Sequence, residues 1–69
     1  MKKSQAKIGM QVKVIKTDDG QKAGDITTIT ATEEIVMNKN NHTIDLSKWP
    51  HVVQVEKGWL LNINNIVKN

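Results

Sequence analysis

Cysteine, tyrosine, phenylalanine and arginine are absent from this 69-residue chain, and proline occurs once. Without cysteine, disulfides and thiolate metal sites are excluded. Without arginine there is no planar guanidinium fork to read guanine bidentately, which disfavours sequence-specific DNA readout. No apolar run approaches the ~20 residues of a membrane span. Met1, Lys2 and Lys3 are followed by Ser4, Gln5, Ala6 and Lys7, where an export signal would carry an apolar stretch of ~7–15 residues. The expectation is a soluble, cytoplasmic protein, and the lack of cysteine fits a reducing compartment. The glycosylation pattern at Asn41, His42 and Thr43 then has no meaning.

What is present is short and basic. A chain of this length makes one domain, which buries only roughly 60% of the surface its unfolded form exposes. Ten lysines oppose seven acids, a net charge of +3. Lys2, Lys3 and Lys7 lie in an acid-free lead-in, residues 1–7, so from Ile8 onward seven lysines face seven acids. The domain body, residues 8–69, is formally neutral.

Met10, Val12 and Val14 alternate with Gln11 and Lys13, the period of a half-buried strand. Thr17, Asp18, Asp19 and Gly20 stop that strand, with Gly20 expected at a positive-φ position. Ile26 to Thr32 is a β-branched run that favours a second strand. Glu33-Glu34 reads as a turn, Ile35-Val36-Met37 as a short strand, and 38–42 as a polar loop. Thr43 to Leu46 forms another extended piece. Pro50 biases Trp49 toward an extended conformation. Val52 to Val55 and Trp59 to Leu61 flank a short glycine-containing loop, a hairpin signal. A tight turn at 62–65 leads to a last short strand at Ile66-Val67. Short strands at close intervals predict an all-β fold, a closed or nearly closed small barrel of about five antiparallel strands. Its expected core is Ile8, Val12, Val14, Ile26, Ile29, Val36, Val53, Val55, Leu60 and Ile66.

Two stretches resemble known patterns. Gly9 to Val14, the loop with Gly20, then Ala23-Gly24-Asp25-Ile26 and Ile29 resemble the KOW-type pattern. Gly58 to Leu61 followed by Ile63 to Val67 is similar to the close of a Src-homology-3-like barrel. That resemblance implies one short helical turn before the final strand. KOW-type domains contact RNA, ribosomal components and transcription machinery, so it also implies a binding role. The aromatic groove with which Src-homology-3 domains hold proline helices has no counterpart here, because tyrosine and phenylalanine are missing.

Catalytic signals are weak. Asp18-Asp19 and Glu33-Glu34 are adjacent acids at predicted turns, where solvated carboxylates are the plainer reading. His42 and His51 are the only histidines and have no metal-ligand spacing. No phosphate-loop or nucleophile pattern occurs. The chain is expected to be no enzyme, with no metal site and no cofactor.

Binding candidates are better defined. Trp49 sits in a non-periodic segment between Lys48 and His51, where an unburied tryptophan would anchor a protein or stack on a base. Trp59, in the hairpin, either joins it or packs into the core. Lys2, Lys3, Lys7, Lys13, Lys16 and Lys22 form the candidate phosphate-contacting set. The leading reading is a binding module that docks on a protein partner through Trp49, Lys48, His51 and Trp59, aided by an open strand edge. The alternatives are a KOW-like, non-specific RNA- or DNA-binding module and a homo-oligomer whose small core is completed by self-association.

Overall fold

Alternating Val12 and Val14 against Gln11 and Lys13 produces β1 (Gln11–Val14), with both valines fully buried. It pairs antiparallel with β2 (Ile26–Ala31), Lys13 opposite Ile26 and Val12 opposite Thr27. That register decides the faces of β2, since a shift of one residue would exchange them all. Thr27, Ile29 and Ala31 therefore point inward and Ile26 outward. All residues 1–69 are described by this computed structural model.

Two further strands, β3 (Ile35–Met37) and β4 (Thr43–Asp45), form a separate hairpin. β5 (Val52–Val55) pairs with β2 across a register shift between Ile29 and Ala31, and with β6 (Leu60–Asn62). β7 (Ile66–Lys68) returns to pair with β1. The main sheet runs β6-β5-β2-β1-β7 with every neighbour antiparallel.

The all-β, antiparallel expectation holds, with five strands in the main sheet and two in the hairpin. The expectation of a closed barrel is corrected: β6 and β7 are the two edges, and no ladder joins them. One 3₁₀ turn, Ile63–Asn65, separates β6 from β7 near the C-terminus. Others lie at Lys3–Gln5 and Leu46–Lys48.

The core gathers Ala6, Val12, Val14, Ile29, Val53, Val55, Leu61, Ile63 and Ile66. Each large aliphatic side chain fully buried in this way stabilises the fold by about 1.5–3 kcal/mol. Several core expectations are corrected. Ile8 and Ile26 are more than half exposed, Val36 and Leu60 only partly buried, while Leu46 and Leu61 are fully buried. Leu61 displaces Leu60 because it is the residue opposite inward-facing Val53. The lead-in 1–7 is irregular but attached, since Ala6 is buried in the core.

Candidate functional site

Trp49 is presented by a turn that is held from several directions. The Asp45 carboxylate accepts hydrogen bonds from the Ser47 amide at 3.0 Å and the Ser47 hydroxyl at 2.5 Å. Chiefly through that hydroxyl, its carboxyl is held below the usual range. This cap starts the 3₁₀ turn Leu46–Lys48, and buried Leu46 ties the turn to the interior. The Trp49 amide donates to Leu46 O at 3.0 Å, and its carbonyl accepts from Val52 N at 3.2 Å. The Lys3 amine donates to both Leu46 O and Trp49 O at 2.7 Å. Pro50 contributes no N–H, and Trp49 before it leaves the helical region without reaching a fully extended strand conformation, at φ −119° and ψ 87°. The backbone is thus fixed while the residue itself is 49% exposed. Lys48, Pro50 and His51 are exposed beside it.

Trp59 has the opposite surroundings. It is partly buried against the core, and the Lys39 amine lies 3.7 Å from its ring centroid. Lys39 also pairs with Asp19 at 2.6 Å. Gly20 lies directly against the ring, where a Cβ would overlap the indole. The expected reason for this glycine is therefore corrected: the positive-φ residue of the turn is Asp19, at φ 48°, and Gly20 is needed for its missing side chain.

The Asp18-Asp19 pair is also more than a solvated turn. Leu61 bonds toward β5, so the amides of Leu60 and Asn62 point outward along the edge of β6. Asp19 accepts from Leu60 N at 3.2 Å, and Asp18 from Asn62 N at 2.8 Å and Asn65 Nδ2 at 2.9 Å. Two carboxylates thus occupy an edge that a closed barrel would pair with a strand.

The structure does not bring the sequence-predicted residues into one site. Trp49 precedes the first residue of β5, while the carbonyl of Trp59 accepts from the last, Val55 N, at 2.9 Å. Of the lysine set, Lys2, Lys7, Lys13, Lys16 and Lys22 are exposed. Lys3 is withdrawn: its side chain is 9% exposed, bonded to the two carbonyls, with Glu33 at 4.0 Å. Both histidines are exposed. No group of three or more His, Asp or Glu side chains is placed to hold a metal ion. Sequence reasoning missed the roles of Lys3 and Lys39, and nothing local to either lysine signals its distant partner.

No helix is long and apolar enough to cross a membrane. Comparison with protein-family models, curated proteins and solved structures finds no significant match to this chain.

Proposed function

We propose that this chain is a non-enzymatic binding module that docks on another protein, with Trp49 as its anchor and Lys48 and His51 at the rim. The observation that carries this reading is the half-exposed ring of Trp49 on a backbone pinned by Lys3, Leu46 and Val52. A pre-ordered anchor loses less conformational freedom on binding, and tryptophan is enriched among residues that dominate interface energy. Trp59, at the other end of β5, packs against the core and stands apart from this site. The strand order β6-β5-β2-β1-β7 and the 3₁₀ turn before β7 support a Src-homology-3-like arrangement with a KOW-like first half.

The test is a pull-down with the whole chain and with Trp49→Ala, followed by affinity measurement on the purified partner. Trp49→Ala should cost about 2 kcal/mol or more in binding, with little change on raising salt. A partner held equally by Trp49→Ala would overturn the reading. Exposed Lys2, Lys7, Lys13, Lys16 and Lys22 motivate the competing reading, contact with RNA or DNA. That reading requires a saturable tryptophan-fluorescence change with oligonucleotides that weakens steeply with salt. Self-association requires a melting temperature that rises with protein concentration.

A further inference from the structure

The outer face of the main sheet is covered over one half and bare over the other. On β5, the outward Gln54 is 7% exposed and donates to Met37 O at 3.2 Å, so the β3–β4 hairpin shields that side. On β1, Lys13 faces outward with Ile26 opposite it on β2 and Val67 opposite it on β7. Ile15 follows at the bend that ends β1, its amide bonded to Asn65 O at 2.8 Å beside β7. Ile26, Ile15 and Val67 are 56%, 51% and 37% exposed. One amine therefore stands among three uncovered aliphatic side chains.

That amine has no partner within the chain. Only Lys3 and Lys39 lie within ion-pair distance of a carboxylate. The remaining outward positions of the three strands, Gln11, Thr28 and Thr30, are uncharged. An occupant that covered the aliphatics would strip water from the amine, which is costly unless it supplies an opposite charge.

We propose that this bare half is a second docking surface, for a protein segment presenting one carboxylate ringed by aliphatic side chains. The carboxylate pairs with Lys13 while the aliphatics cover Ile15, Ile26 and Val67. A second copy of the chain fits poorly, because a symmetric contact centred on Lys13 sets the two amines against each other. A nucleic acid fits poorly too, because β1, β2 and β7 carry no aromatic residue for base stacking and set their one outward amine among aliphatic side chains. The surface is separate from Trp49, which stands outside the main sheet at the end of the turn before β5, whereas this face is built on β1, β2 and β7.

The experiment is a titration of the whole isotope-labelled chain, followed by backbone amide shifts. The probe is a capped pentapeptide, Ser-Leu-Asp-Leu-Ser, and its control carries Asn in place of Asp. Saturable shifts are expected in residues 11–15, 26–28 and 66–68, with affinity reduced about tenfold or more by the Asn control and by Lys13→Gln. The peptide pair leaves the protein unchanged, so it stays decisive if Lys13→Gln fails to fold. No shift at millimolar peptide, equal binding of both peptides, or shifts confined to the Trp49 turn would each overturn the proposal. So would a dimer in sedimentation equilibrium that Ile26→Ser dissolves, which would assign the face to a second copy. Salt-sensitive shifts of the same amides by an oligonucleotide would assign it to nucleic acid.

Discussion

Trp49 and Trp59 stand at opposite ends of β5, and their surroundings differ in kind. Around Trp59 the contacts come from distant parts of the chain: Gly20 from the β1–β2 loop and Lys39 from the tip of the β3–β4 hairpin. Around Trp49 the distant contact, Lys3, reaches only the backbone carbonyls and leaves the ring in solvent. One ring is therefore part of the fold and the other is displayed by it. Availability for binding depends on which atoms the long-range partners engage, the side chain or the peptide beneath it.

The comparison breaks most visibly on truncation. Trp59→Ala should cost about 3 kcal/mol of stability, at the low end for large-to-small changes because the ring is only partly buried. Trp49→Ala should stay within about 0.5 kcal/mol of the parent, as expected for an exposed position. Urea denaturation of the two variants measures both, and equal losses would erase the distinction.

Gly20→Ala tests the close approach behind Trp59. Its Cβ would overlap the indole, so the ring must move, at a cost of about 1–3 kcal/mol. Fluorescence of Gly20→Ala in a Trp49→Phe background should shift to the red; an unchanged spectrum would mean the ring is not confined there.

Lys3→Met sharpens the other side. It removes the charged donor to Leu46 O and Trp49 O, and should cost about 1–2 kcal/mol. Amide hydrogen exchange of Trp49 and Val52 should rise while that of β6 stays constant. Lys39→Met removes the cation above Trp59 and the Asp19 pair. At this partly exposed site the loss should be smaller, about 0.5–1 kcal/mol.

Acid gives the smallest effect. Glu34 is held below the usual carboxyl range chiefly by the Thr32 amide, and Asp45 chiefly by the Ser47 hydroxyl. A carboxylate with a depressed folded pKa adds stability above its unfolded pKa and loses it as pH falls through the folded value. Denaturation midpoints should therefore decline as the solution is acidified below the ordinary carboxylate range. Because Asp45 caps the Trp49 turn, protection of the Ser47 amide relative to its intrinsic exchange rate should fall in the same interval, and a flat protection profile would contradict the assignment.

Much of the strand layout can be read from residue order. Alternation marks β1, the β-branched run marks β2, and Lys57-Gly58 marks the β5–β6 hairpin, where both residues have positive φ, 66° and 78°. The inward faces are harder. In Ile-Thr-Thr-Ile-Thr-Ala every residue but the last is β-branched, so alternation does not distinguish Ile26 from Thr27. Pairing of Thr27 with Val12 settles it, and the Thr27 hydroxyl is buried without a partner as a result. Adjacent Leu60 and Leu61 pose the same tie, broken by Val53.

The candidate site divides in the same way. Lys48, Trp49, Pro50 and His51 stand out in the sequence as a non-periodic aromatic segment, but nothing there tells an exposed ring from a packed one. Lys3 and Asp18 look like ordinary surface charges until Trp49 and Asn62 come within reach.

The amino-acid sequence by itself determined the all-β class, the turn positions, the absence of disulfides and the neutral body behind a basic lead-in. Each of these depends on a residue's effect on its own backbone or on simple counting. Only the tertiary structure decided that Trp49 is displayed and Trp59 enclosed, that Lys3 is consumed internally, and that Lys13 stands on a bare face. Burial and pairing belong to partners brought together across the chain, 46 residues apart for Lys3 and Trp49 and 44 for Asp18 and Asn62.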